Sequence, residues 1–202
     1  MLQTSFFKKN KGFTIIELLV VVSVFSFVVF IISSLFISVF KQQRKTLNQQ
    51  ELLNQTSYVI EYIGRALRMA KEDVSAENSC VISGTRNYQI TTEAGSGLDY
   101  HSGKGIRFLN NSAGGPCQEL FWDQTSQMLY ESKNAGITSP TFLPLFADYI
   151  KIEKFGIVLS ETVTSPNYQP RVTISMKVKI GFGSESAEKQ IQITTSQRNL
   201  NK

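Results

Sequence analysis

Apolar positions fall into three regimes along the chain. Between residues 13 and 40 they are almost unbroken: FTIIELLVVVSVFSFVVFIISSLFISVF is 28 residues long and holds one charge, Glu17. After it the chain turns polar but keeps a helical rhythm. Leu53, Ile60, Ile63, Leu67, Ala70 and Val74 recur at spacings built from threes and fours, one stripe of an amphipathic helix. No Pro or Gly interrupts residues 13–63, and Gly64 alone is tolerable. The pattern therefore predicts one long helix from Thr14 to Asp73, with its second half laid on a soluble core.

From Ser75 on, the period changes to two. Residues 79–83 and 88–92 are short strand candidates, and 93–105, with Gly95, Gly97, Gly103 and Gly105, reads as a loop. A short strand at 106–109 precedes the turn-rich N-N-S-A-G-G-P. Residues 118–122 and 128–131 flank D-Q-T-S as a hairpin. Three longer strands follow at 149–159, 171–182 and 189–195. In the middle one, Val172, Ile174, Met176, Val178 and Ile180 alternate with polar residues, which predicts a sheet with one wet and one buried face. The fold class is α+β: a long N-terminal helix packed on an antiparallel β-sheet.

Length gives the apolar run its meaning. At about 1.5 Å per residue it exceeds the roughly 30 Å of a bilayer core. Secretory signal peptides have apolar cores of about 7–15 residues and a small-residue cleavage site, neither of which fits. Lys8, Lys9 and Lys11 before the run hold that end in the cytoplasm and send the remainder outside. Lys41, Arg44 and Lys45 oppose this orientation, but long domains cross largely regardless of charge. The overall charge of +5 shrinks to 18 Lys/Arg against 15 Asp/Glu from Lys41 onward, with no basic block. Most of the excess is a topology signal, and nucleic-acid binding is disfavoured.

Glu17 needs its own account, because a carboxylate inside an apolar helix costs at least a few kcal/mol without a partner. Either it lies near the cytoplasmic interface and reaches water, or a cation meets it at depth. The residues K-K-N-K-G-F-T-I-I-E-L-L-V-V-V, Lys8 to Val22, resemble the processing and helix-start motif of type IV prepilins and pseudopilins. The resemblance implies cleavage by prepilin peptidase after Gly12 and methylation of the new N-terminal residue, Phe13. It makes Glu17 the assembly carboxylate, facing the α-amine of Phe13 in a neighbouring subunit. It divides the chain into a leader (1–12), a transmembrane half-helix (13–40), an amphipathic half-helix (41–74) and an extracytoplasmic β-rich domain (75–202).

The implied partners are other pilin or pseudopilin subunits, the peptidase, an inner-membrane assembly platform and membrane lipid. The implied location is the cytoplasmic membrane, single-pass with the C-terminal domain outside, and then a filament at the cell surface or in the periplasm. The lack of Pro and Gly in 13–40 points to a minor subunit. The closing Q-I-T-T-S-Q-R-N-L is similar to the ends of J-type minor pseudopilins. The alternative is a membrane-anchored adhesin or ligand-binding module that uses the 95–116 loops, with Tyr100 and Trp122 as surface aromatics, although a tryptophan such as Trp122 is more often a core residue.

The remaining chemistry is sparse. Cys80 and Cys117 belong to no CxxC pair and have no nearby His, so no metal site is expected. An extracytoplasmic location would make them a disulfide, and two buried thiols are the alternative. The segment from Gly97 to Lys104 has five residues between its glycines where a phosphate loop needs four, and Gly105 replaces the required Ser/Thr. His101 is the one histidine, with Asp99 and Ser102 only as sequence neighbours. No carboxylate pair is marked out among Asp148, Glu153 and Glu161. Nothing here calls for a cofactor or an enzyme.

Overall fold

The computed structural model describes residues 12–73, 80–81, 87–92, 103–111, 117–133, 141–160, 169–181 and 183–198. The chain divides after Arg44 into two compact units. The first is the opening stretch of α1, the helix Ile15–Arg68. Every residue from Gly12 to Leu47 is exposed.

Among the described residues, the second unit holds the rest of α1 and nine strands. β1 (Ala70–Lys71) and β2 (Tyr88–Thr92) both pair with one edge of β3 (Gly103–Asn110), and the sheet continues through β4 (Cys117–Asp123), β5 (Met128–Ser132) and β6 (Leu143–Pro144). A second sheet is the meander β7 (Ile150–Ser160), β8 (Arg171–Ile180) and β9 (Ala187–Ser196). All pairings are antiparallel, with a bulge between Ile152 and Lys154. The expected α+β fold, a long helix followed by antiparallel strands, is what forms, with two sheets in place of one.

One core joins these parts. Leu52, Val59, Ile63, Ala66 and Leu67 of α1 cluster with Tyr88, Ile106, Phe108, Leu120 and Leu129 of the first sheet and Ile150, Ile152, Val172, Ile174 and Val178 of the second. A side chain this buried contributes about 1.5–3 kcal/mol by leaving water. β8 alternates as its sequence predicts, with Val172, Ile174, Met176, Val178 and Ile180 buried. β4 behaves differently, because Gln118 through Trp122 are all buried and both of its faces are covered.

Three local expectations change. The helix stops at Arg68, not Asp73: Met69 N–H donates to the Arg65 and Ala66 carbonyls, and the chain then extends so that Ala70 and Lys71 pair with Asn110 and Leu109. A waiting strand edge outweighs helix propensity there. The buried stripe runs through Leu52, Thr56, Val59 and Ile63, and Leu53 is exposed. Val74 lies outside the described residues. Gly103 and Gly105 belong to strand β3 and not to a loop. A Cβ on Gly105 would stand 2.3 Å from Thr91 Oγ1 and 2.9 Å from the Leu120 carbonyl, so the strand needs glycine for close approach.

Candidate functional site

The opening of α1 is built by local chemistry. Gly12, Phe13 and Thr14 precede the helix, and Thr14 takes the capping position. Glu17 N–H donates to Thr14 Oγ1 at 3.3 Å, and Leu18 N–H donates to the Thr14 carbonyl at 3.1 Å. Thr-x-x-Glu is thus also a capping pattern, with the acid in the first turn, where the helix dipole favours negative charge. Sequence reasoning treated the threonine only as part of a resemblance; the spacing Thr14-x-x-Glu17 before an apolar run was the available signal. A Cβ at Gly12 would meet nothing within 4 Å, so packing gives no reason for glycine there.

Four of the five serines of the apolar run bond within the helix. Ser23 donates to the Val20 carbonyl, Ser26 to Val22, Ser33 to Val29 and Ser34 to Ile31, each at 2.8 Å. Such hydroxyls ask nothing of their surroundings and are compatible with lipid. The side chain left with a charge is Glu17.

Magnitudes decide whether that charge matters for anchoring. Residues 13–40 contain 21 large apolar side chains, all exposed. At about 1.5–3 kcal/mol each, withdrawing them from water is worth roughly 30–60 kcal/mol. A buried carboxylate costs a few kcal/mol. The segment enters a membrane with or without Glu17, so the acid does not decide insertion.

The other candidate residues lie in the second unit. Cys80 and Cys117 are joined by a disulfide with Cα atoms 5.4 Å apart, next to a buried Asp73 whose carboxylate accepts the N–H groups of Cys80 and Val81 at 2.6 and 3.1 Å. The bridge ties the segment after β1 to the start of β4. Trp122 is core: its Nε1–H donates to the Ile152 carbonyl at 3.2 Å and its ring lies 6.0 Å from that of Phe155. It is not the surface aromatic that an adhesive role would use. Tyr100, His101, Asp99, Ser102 and Glu161 lie outside the described residues. Glu153 pairs with Lys177 and Lys179 on the second sheet, hydrogen bonds from both lysines holding its carboxyl below the usual range. These are solvated ion pairs and not an acid/base couple.

Residues 7–33 match the prokaryotic N-terminal methylation motif. No curated protein and no solved structure matches the chain. The match spans 27 of 202 residues, so it speaks for the start of the chain and not for the sheets. The helix on which it falls is long and apolar enough to cross a membrane. The N-terminal segment thus carries a methylation motif like that of type IV prepilins and pseudopilins, which supports a pilin-like precursor anchored in a membrane by the apolar part of α1.

Proposed function

We propose that this protein is a structural subunit of a type IV pilus or type II secretion-like filament, a minor pilin or pseudopilin. Cleavage after Gly12 and methylation of Phe13 produce the mature chain, which is single-pass with its β-rich part outside, until α1 enters the filament. The observation that carries this reading is Glu17: one charge in a segment where Ser23, Ser26, Ser33 and Ser34 bond within the helix and whose insertion does not depend on the acid. Cleavage places a cationic α-amine on Phe13, four residues before the acid. Packed helices then bring that amine and a neighbour's Glu17 to one depth. Each charge removes the penalty of burying the other, so the pair sets register more than it adds affinity. Gly12 fits the same account, since an N-terminal peptidase needs an unhindered residue at the bond it cuts.

Mass spectrometry of the mature chain, made in a host with the peptidase, is expected to find N-methylated Phe13 at the N-terminus. Glu17→Gln keeps the capping geometry, because glutamine serves the same box, and removes only the charge. That variant is expected to fractionate with membranes as the natural chain does and to be missing from sheared filaments. A chain that keeps its first 12 residues, or a variant that enters filaments normally, refutes the proposal.

A further inference from the structure

At the C-terminal end of α1 a cavity of about 690 Å³ opens between the helix, β3, β4 and the stretch that follows β9. Four cations line it: Arg65 and Arg68 from α1, Lys133 after β5, and Arg198 after β9. Its apolar wall is Ala66 and Met69. None of the described lining residues is acidic. Arg198 N–H donates to the Arg68 carbonyl at 3.0 Å, a main-chain bond that ties these two residues together, and Arg68 Nε donates to the Gly64 carbonyl of its own helix at 3.1 Å.

Two acids bond to lining residues without themselves lining the cavity. Glu61 pairs with Arg65 on the surface, where both side chains are mostly exposed and the bond is weak. Glu131 is buried, and its Oε1 accepts from Tyr62 O–H and Gln118 Nε2, both of which also line the cavity. Burial, and then the bond to Glu131, hold the Tyr62 phenol far above its ordinary range, so it stays a neutral donor.

We infer that this cavity binds a short acidic segment of a partner polypeptide, with a carboxylate held by Arg68 and Arg198 and an adjacent apolar side chain against Ala66 and Met69. Charge complementarity selects the carboxylate, which guanidinium groups grip through paired hydrogen bonds. Concavity selects a peptide over a nucleic acid. A phosphate backbone wants cations in a row along an open surface, whereas these converge on a pocket within the usual ~300–1,000 Å³ of ligand sites and share it with apolar surface. Every residue involved lies between Tyr62 and Arg198, so the inference does not depend on the filament reading.

The test uses the full chain in detergent micelles and fluorescence anisotropy of a labelled hexapeptide of alternating glutamate and leucine. Controls are the same peptide with glutamine for glutamate and a labelled single-stranded oligonucleotide. Saturable binding of the glutamate peptide is expected, at least ~10-fold tighter than the glutamine peptide and weakening as salt screens the charges. Arg68→Gln/Arg198→Gln should weaken it about 10-fold, and Lys154→Gln on the second sheet should leave it unchanged. Trp122 fluorescence verifies that each variant is folded, and Lys133→Gln, a single exposed change, repeats the test if the double variant is not. Equal binding of both peptides, equal loss in Lys154→Gln, tighter binding of the oligonucleotide, or self-association through the same arginines without peptide competition each overturns the inference.

Discussion

Arg107 and Glu119 face each other across β3 and β4 with 4% and 0% of their side chains exposed. Arg107 Nη2 and Nε donate to Glu119 Oε2 at 3.0 and 3.4 Å, and Thr91 O–H donates to Oε1 at 2.8 Å. Arg107→Met fills much the same volume but leaves a buried carboxylate without its cation, which costs about 3–5 kcal/mol. Against a total stability of about 5–15 kcal/mol that is a large fraction. Arg107→Met/Glu119→Leu removes both charges, and a buried pair replaced by apolar side chains is neutral or up to ~4 kcal/mol more stable. The single variant should therefore be worse than the double one, a reversal that no additive scheme gives. Urea unfolding of the full chain in micelles, read by Trp122 fluorescence, measures it, since Trp122 is the one tryptophan and sits in the core. With a slope of about 2 kcal/mol per molar urea, the single variant should lose roughly 2 M in midpoint and the double variant should stay near the natural value. A loss below ~1 kcal/mol in Arg107→Met, or a double variant as unstable as the two single changes summed, refutes the claim that this pair is held together by the cost of breaking it.

Gly105→Ala should lower stability by ~2–3 kcal/mol in the same assay, because its Cβ would press on Thr91 and on a backbone carbonyl that has no room to yield. Thr91→Ala made in addition should recover part of the loss, and failure to recover any would place the conflict elsewhere. Reducing the Cys80–Cys117 bridge, which spans 37 residues, should cost ~3–4 kcal/mol and move the urea midpoint down by more than 1 M. An unchanged midpoint after reduction would show that the bridge constrains nothing. In the β4–β5 turn, Asp123 accepts the N–H groups of Thr125 and Ser126 at 2.9 and 3.0 Å. Burial alone would raise its carboxyl, but these hydrogen bonds outweigh burial and hold it below the ordinary range. Its contribution is present above about pH 4 and is lost as the pH falls through the lowered value. Asp123→Asn should show a shallower loss of stability than the natural chain between about pH 4 and 2, and parallel acid profiles would remove Asp123 from the account.

How much of this was legible depended on the range of the interactions involved. The apolar run, the alternation in β8 and the D-Q-T-S turn are set within a few residues, and each lies where its pattern places it. The helix end was not legible, because Ala70 and Lys71 are extended by pairing with Asn110 and Leu109, some forty residues on. Gly105 was misread for the same reason: glycines suggest loops, yet this one exists because Thr91 and the Leu120 carbonyl approach it from neighbouring strands. The stripe on α1 was read one residue off at Leu53, where both leucines fit a helical period and only the sheets decide between them. Of the N-terminal residues, the order was legible but not the double duty of Thr14 and Glu17 as a helix cap. The cationic cavity was invisible, since Arg65, Arg68, Lys133 and Arg198 are brought together only by the fold.

The apolar face of α1 also explains why an acid would be kept where it is. From Ile15 to Phe40 the helix is apolar nearly all round, without the one-sided stripe that fixes how its later turns sit on a core. In oil, neighbouring helices of that kind can slide by one turn, about 5.4 Å, and exchange one set of Val, Ile and Phe contacts for another nearly as good. Packing alone sets register weakly. On the proposed reading, a carboxylate about 3 Å from a neighbour's α-amine moves to about 6 Å after such a slip. At an effective dielectric near 20 that is a loss of about 3 kcal/mol, more than a hundredfold preference for one register. The charge pair then acts as a position marker on an otherwise featureless rod, which is why its position matters more than its strength. Moving the acid one turn along, as Glu17→Gln/Val21→Glu, should leave membrane insertion intact and shift cross-links between neighbouring helices by one turn. Cross-links unchanged from the natural pattern would show that packing, and not the charge, holds the register.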